Sequence, residues 1–215
     1  MSEKSSSVMD IIGGILAAGA AYNAAKKTSR AAGVSSKPRY RNTKQSRRIA
    51  AHEAGHALVA WKFGNEIGSV IIGDRDGDNQ ADHGLVADVD YNSDPWQRCA
   101  LYMGGVVGEG FVVGQYDPVY AQSDLQVSAR AAHEILEKSL RVPWRRPGGK
   151  TVRLNCMKVL GLPEEHRAIM EEAASYAKTL IRRNRGAFEA IRNELMAKGT
   201  ISEEEFAELV SQFEQ

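Results

Sequence analysis

The sequence predicts a mainly helical α+β fold in which a small β-hairpin or sheet lies beside a helix that carries two histidines. From residue 43 onwards, apolar residues recur at the three- and four-residue spacing of amphipathic helices. Two short runs, residues 68–73 and 84–91, have the composition of strands. The length of 215 residues is enough for one domain preceded by a tail.

The first helix is predicted from Thr43 to Phe63, a stretch without proline that is followed by Gly64. His52 and His56 lie one turn apart on the same stripe of this helix, so both imidazoles can reach one metal ion from a rigid element. Glu53, next to the first histidine, can take a proton from water on the open side of that metal. The pattern therefore predicts a zinc site.

The alternative for these histidines is a helix with two hydrogen-bonded rings at the surface. Apolar residues on and beside the same stripe, such as Val59 and Leu58, favour burial instead. An unpaired buried imidazole costs a few kcal/mol, and a metal ion would supply the missing partner. Gly55 and its alanine neighbours suggest, from their size alone, that another element packs closely here.

Later elements are predicted from capping and breaking residues. Ser93 or Asp94 caps a helix that begins at Pro95 and ends near Val113. The glycines in its second half each cost about 1 kcal/mol unless close packing compensates. Further helices are predicted from about Ser123 to Leu140, from Pro163 to Gly199 with a break near residues 184–186, and after a capping box formed by Ser202 and Glu205.

Charge and cysteine content exclude several classes of protein. A net charge of +1 provides no electrostatic basis for binding nucleic acid. The two cysteines, Cys99 and Cys156, lack metal-ligand spacing and suggest no disulfide framework, so we expect a cytoplasmic protein. Residues 1–42 are predicted to form a mobile or docking tail with a basic linker ahead of a domain at 43–215, and a membrane or export segment at residues 8–25 is the less favoured alternative.

A catalytic zinc ion usually has three protein ligands, so a third ligand is required. A metzincin would have a histidine six residues after His56, and Lys62 at that position excludes this class. A carboxylate in the first turn of a helix is kept ionised and oriented by free N–H groups, which is consistent with Asp124 as a ligand. On these grounds Asp124 and Glu109 remain equal candidates. The full set of downstream candidates is Glu109, Asp124, His133 and His166.

Residues 48–59, RIAAHEAGHALV, resemble the peptidase domain of the membrane-bound AAA+ proteases of the FtsH type, the M41 metallopeptidases. The likeness covers roughly residues 43–210 and includes Gly104-Gly105 through Glu109 and Ser123-Asp124-Leu125. It implies a helical zincin-like M41 peptidase fold. It also implies that His52, His56 and Asp124 bind zinc, that Glu53 is the general base, and that Glu109 orients a ligand or pairs with a basic side chain.

The resemblance implies a zinc-dependent metalloendopeptidase that cleaves unfolded or flexible polypeptides by Glu53-assisted attack of zinc-bound water. The sequence departs from the family in two ways. Ser123 stands where the family has asparagine, and no GxxxxGK[ST] loop is present, so we expect no ATPase activity of its own. The expected partners are a polypeptide substrate and either a separate ATPase or a homo-oligomer. The alternatives are a non-catalytic interaction module or a peptidase subunit that depends on a separate ATPase.

Overall fold

The computed structural model describes residues 40, 42–74, 78, 80–81, 83–87, 94–117, 119–140, 142 and 161–214. The chain divides into two units, residues 1–36 and 37–215, and all the described residues belong to the second. Nearly all of the predicted tail lies outside the described residues. The division between tail and domain at residue 42 therefore stays a prediction.

The described residues form six helices and a three-stranded antiparallel sheet, which confirms the mainly helical α+β class. None of the helices in these ranges is both long and apolar enough to cross a bilayer. In chain order the elements are α1 (Lys44–Lys62), β1 (Ser69–Gly73), β2 (His83–Ala87), α2 (Pro95–Val113), α3 (Gln122–Glu137), α4 (Glu164–Arg183), α5 (Arg185–Lys198), β3 (Thr200–Ser202) and α6 (Glu203–Ser211).

Local capping determines where several helices begin, and the caps of α2 and α6 were predicted. The Thr43 side chain accepts a hydrogen bond from the main-chain N–H of Ser46 at the start of α1. Asp94 caps α2 in the same way. Ser202 and Glu205 form both halves of the predicted capping box before α6. Each side-chain oxygen satisfies an N–H group that has no partner inside the helix.

The end of α3 differs from the prediction by three residues, because the helix stops at Glu137. Ser139 takes a left-handed conformation with φ of 49°. The N–H of Leu140 then bonds to the carbonyl of Ile135, and that of Ser139 to Leu136, which is a Schellman motif. Glycine is the usual residue at such a position, so the serine provides no local signal for the stop.

The sheet has the order β2-β1-β3, with β1 in the centre of its described part. The pairing of β1 with β2 confirms the predicted hairpin, in a register that joins Val70 to Val86. Strand β3, which pairs Ile201 with the same Val70, was not predicted. The hydroxyl of Tyr40 donates to the carbonyl oxygen of Ile72, which anchors the chain before α1 to the sheet.

Helix α1 lies in the core and contacts α2, α5 and the hairpin. Its closest neighbour is α2, because glycines on both helices face each other. A Cβ atom on Gly55 would lie 2.2 Å from the carbonyl oxygen of Gly104, and one on Gly108 would lie 2.3 Å from that of Ala51. The predicted close approach at Gly55 is therefore confirmed, and it brings the middle of α2 beside the two histidines.

Candidate metal centre

The middle of α1 places His52 and His56 on its buried face, where both side chains are almost inaccessible to solvent. The two imidazole rings are one turn apart, with centroids separated by 4.6 Å. Their Nε2 atoms lie 2.9 Å from each other. The helix thus directs the same nitrogen of both rings toward one point, as the four-residue spacing predicts.

The other ring nitrogen of each histidine has an acceptor. Nδ1 of His56 is 2.9 Å from the carbonyl oxygen of Leu101, which can only accept, so this nitrogen carries the hydrogen. Nδ1 of His52 lies 2.7 Å from Oε1 of Glu109, a carboxylate that accepts in the same way. The main-chain N–H of Asp117 donates to the second oxygen of Glu109. In the neutral rings, both Nε2 atoms therefore present a lone pair.

Asp124 adds a third electron-pair donor from the first turn of α3. Its Oδ2 atom lies 2.7 Å from Nε2 of His52 and 3.5 Å from Nε2 of His56. Despite these short distances the buried oxygen has no hydrogen bond of acceptable geometry. All three donor atoms lie within 4.8 Å of one another. Two imidazole nitrogens and a carboxylate oxygen that converge on one point match the donor set of a zinc ion.

The electrostatics of this cluster indicate that it needs a cation. Burial disfavours the charged form of His52, but the carboxylates of Asp124 and Glu109 outweigh burial and raise the pKa of His52 well above its ordinary value. Burial also opposes ionisation of Asp124, yet the two imidazoles hold the pKa of its carboxyl well below its usual range. The site therefore attracts a proton when no metal ion is bound, and a metal ion would replace that proton.

Two glycines leave room for the site. A Cβ atom on Gly105 of α2 would lie 2.4 Å from Nε2 of His56 and 2.7 Å from Nε2 of His52. A Cβ atom on Gly84 of β2 would lie 2.4 Å from both Cγ and Oε1 of Glu53. Any larger residue at either position would displace a side chain of the cluster. The predicted cost of glycine at position 105 within a helix is thus offset by space for the imidazoles.

Glu53 lies between Gly84 and Tyr120, and only 4% of its surface is exposed. The hydroxyl of Tyr120 donates to Oε1 of Glu53 over 3.4 Å, and the Tyr120 ring lies edge-on to His52. Burial raises the pKa of the Glu53 carboxyl, although the nearby imidazoles oppose this effect. Burial and the surrounding carboxylates also raise the pKa of Tyr120, so its hydroxyl keeps its hydrogen.

The structure separates the four candidates for a third ligand. Asp124 faces the Nε2 atoms, whereas Glu109 binds the opposite nitrogen of His52. His133 and His166 lie on α3 and α4, where they stack on each other with 3.2 Å between Nδ1 and Nε2. Within the part of the chain that the structure describes, no other group of three such residues brings its ligand atoms this close together.

Sequence reasoning missed Tyr120 and Asp117. Tyr120 precedes α3 and meets Glu53 across 67 positions of sequence, and the main-chain N–H of Asp117 supports Glu109 from the loop after α2. Neither residue belongs to a recognisable motif. Their position is a weak indication of a role at the site, since both residues lie in the short segment between α2 and Asp124.

Comparison with known proteins provides one informative match. No family model matches the chain. In an alignment 196 positions long that covers 78% of this chain, the sequence is 25% identical to the ATP-dependent zinc metalloprotease FtsH of Chlorobium luteolum. The chain spans only 26% of the length of that relative. The match indicates an FtsH-related region, and a zinc metalloprotease relationship agrees with the presence of a His-His-Asp cluster.

Proposed function

We propose that this chain is a zinc-dependent metalloendopeptidase that hydrolyses peptide bonds in unfolded or flexible polypeptides. The observation that carries the proposal is the convergence of three buried lone pairs, from His52, His56 and Asp124, next to the carboxylate of Glu53. The similarity to a zinc metalloprotease supports the same chemistry. This arrangement contains every group that hydrolysis of an amide by this route requires.

The residues present fit a zinc ion held by His52, His56 and Asp124. When bound, zinc would supply a Lewis acid that polarises the scissile carbonyl and lowers the pKa of a water molecule in the site. Glu109 and the carbonyl of Leu101 hold the two imidazoles in the orientation and tautomer that ligation needs. The ionised carboxylate of Asp124 contributes the negative charge of the ligand set.

Glu53 is the general base of the proposed reaction. It takes a proton from the attacking water as the water oxygen bonds to the carbonyl carbon, and it passes that proton to the amide nitrogen as the C–N bond breaks. Burial raises the pKa of its carboxyl, which makes the carboxylate a stronger base and lets the carboxyl hold the proton until the amide nitrogen takes it. Gly84 packs directly against this side chain and limits where it can move.

The hairpin suggests how an extended substrate would bind. In the described part of the sheet, β2 pairs with β1 on one side only, so it is an edge strand. Gly84 of this strand touches Glu53. An unfolded chain that adds to the edge by main-chain hydrogen bonds would therefore pass beside the general base. Most main-chain groups inside a folded domain are already hydrogen-bonded, so flexible polypeptides are the substrates that we propose.

For substrates that must first be unfolded, we propose that the chain works with a separate ATPase. The relative is described as ATP-dependent, and no GxxxxGK[ST] loop occurs within these 215 residues. Assembly with further copies of this chain is the other proposed association. Addition of ATP and candidate unfoldases to the assay below, with a folded substrate, distinguishes a partner-dependent enzyme from one that acts alone.

The proposal is tested by metal analysis and casein digestion of the intact chain, Glu53→Gln and Asp124→Ala. We expect about one zinc ion per chain in the first two proteins and loss of zinc from Asp124→Ala. Casein should be cleaved by the intact chain alone, with a rate about 10²–10⁴-fold lower for Glu53→Gln.

Two results would contradict the proposed function. If the intact chain binds zinc but digests casein no faster than Glu53→Gln, with or without an unfoldase, the protein is a non-catalytic module. If Asp124→Ala keeps its zinc, the ligand set is wrong. Circular dichroism of each variant verifies that the fold is retained.

A further inference from the structure

Tyr120 touches two parts of the candidate site at once. Its ring lies edge-on to the imidazole of His52, with 4.9 Å between centroids and 81° between planes. Its hydroxyl reaches Oε1 of Glu53. A single side chain therefore connects a proposed metal ligand with the proposed general base, although it was not among the residues selected from the sequence.

These two contacts determine where the Tyr120 hydroxyl lies. Contact with the ring of His52 keeps the side chain against the metal cluster, and the contact with Glu53 directs the oxygen to the side on which the base lies. Nδ1 of His52 is occupied by Glu109 from α2, so that side of the cluster is closed. The hydroxyl therefore lies beside the proposed general base, on a side of the His52 ring that Glu109 does not occupy.

The bond between the two side chains is weak. Its length of 3.4 Å exceeds the 2.5–3.0 Å of a good O–H···O hydrogen bond. Phenylalanine would make the same ring contacts with His52 and would not require a partner for a hydroxyl group. A phenol held loosely against a carboxylate is free to exchange that acceptor for a better one, such as an oxygen on which negative charge develops.

We propose that Tyr120 is a catalytic residue that donates a hydrogen bond to the oxygen of the scissile carbonyl. The inference rests on the proposed peptidase function. As the water oxygen bonds to the carbonyl carbon, the π electron pair of the carbonyl moves to its oxygen, and the Tyr120 O–H turns from Glu53 to that oxygen. No proton leaves Tyr120. The proton of the water passes to Glu53 and then to the amide nitrogen, and the hydrogen bond lapses when the carbonyl re-forms and the C–N bond breaks.

The test compares Tyr120→Phe with the same substitution at Tyr176, a residue of α4 whose ring packs against Phe63 and Trp96. Both variants lose only a hydroxyl group. We measure zinc content, thermal unfolding, kcat and KM for a peptide, and calorimetric affinity for two ligands. The first ligand is a phosphinic peptide, whose tetrahedral anionic group imitates the charged carbonyl oxygen. The second is the corresponding uncleavable peptide with a reduced amide bond, which lacks that oxygen.

For Tyr120→Phe we expect unchanged zinc content and a fall in kcat of about 10²–10³-fold, the usual effect of losing one donor to a developing oxyanion. KM should change by less than about threefold, because the interaction forms only in the transition state. Affinity for the phosphinic peptide should fall by about 10–100-fold, whereas affinity for the reduced peptide should not change. Tyr176→Phe should match the intact chain in zinc content, kcat, KM and both affinities.

Three outcomes would overturn the inference. Equal kcat and equal phosphinic affinity in Tyr120→Phe and the intact chain would show that the hydroxyl takes no part. If Tyr120→Phe loses its zinc or no longer unfolds cooperatively, the role of Tyr120 is structural and not catalytic. Equal losses of affinity for both ligands would assign it to general substrate binding. An intact zinc-loaded chain that neither cleaves the peptide nor binds the phosphinic peptide would instead contradict the proposed function itself.

Discussion

Glu109 shows how much the role of one residue depends on its partners. It is fully buried, and its two oxygens accept from Nδ1 of His52 and from the main-chain N–H of Asp117. The side chain of Asp117 in turn accepts from Arg48 of α1. A chain of polar contacts thus runs from a partly exposed arginine to the proposed metal ligand. Such outer contacts orient the imidazole and increase its basicity.

Replacement of Glu109 by glutamine should weaken zinc binding by about 10–100-fold, because the amide keeps the shape but removes the charge that supports His52. Competition with a chelator of known affinity measures the change. Glu189→Gln, at an exposed residue of α5, is the matched control and should bind zinc as the intact chain does. Affinities of the two variants within a factor of about two would contradict this role for Glu109.

At the scale of elements, the crossing of α1 and α2 positions the site. The glycines at positions 55, 104 and 108 let the two main chains approach to a distance that no side chain would allow. This approach brings Leu101, Gly105 and Glu109 of α2 next to the histidines of α1. The loss of helix propensity at each glycine is therefore the cost of placing the histidine partners.

Gly108→Ala and Gly110→Ala should have opposite effects on stability. A Cβ atom at position 108 would lie 2.3 Å from the main-chain oxygen of Ala51, whereas nothing lies within 4 Å of one at position 110. We expect Gly108→Ala to lower the free energy of unfolding by about 1–3 kcal/mol through overpacking. Gly110→Ala should raise it by up to about 1 kcal/mol through helix propensity.

Thermal unfolding of the two glycine variants, with and without zinc, provides the measurement. Gly108→Ala should also bind zinc less tightly, since a displaced α2 would carry Glu109 away from His52. If the two substitutions shift the midpoint in the same direction, the close helix crossing described above is incorrect.

At the scale of the whole molecule, stability should depend on pH and zinc together. The raised pKa of His52 means that its pairing with Asp124 and Glu109 stabilises the metal-free protein fully below the unfolded pKa of about 6.5. This stabilisation is lost as the pH rises through the higher, folded-state pKa. Zinc competes with the proton on His52, so the stabilisation of the folded protein by zinc should increase as the pH rises through this pKa.

Calorimetric titration of zinc in two buffers of different ionisation enthalpy tests this linkage. Near pH 7 we expect zinc binding to release up to about one proton from His52, with less release as the pH rises. In thermal unfolding measured from pH 6.5 upwards, the midpoint of the metal-free protein should fall as the pH rises. The increase in midpoint that zinc produces should become larger over the same range. Proton release that does not vary with pH would contradict the assignment to His52.

How much of the molecule could be predicted depends on the distance along the sequence over which each structural signal acts. Caps such as Asp94 and Ser202 act over three residues, and those helix starts were predicted. Strand β3 needs the edge of β1, which lies about 130 positions away, and it was missed. The two candidates Glu109 and Asp124 remained equal on local grounds. The family resemblance favoured Asp124, and the structure places its oxygen beside both Nε2 atoms.

The sequence by itself determined the helix with its two histidines, the hairpin and the spacing at which two imidazoles meet, because each depends on neighbours within a few residues. Only the tertiary structure decided which carboxylate faces Nε2 of His52, which one supports Nδ1, and which tyrosine reaches Glu53. Those relations join residues 57 to 72 positions apart. They depend on how closely α1 and α2 pack, which no local pattern encodes.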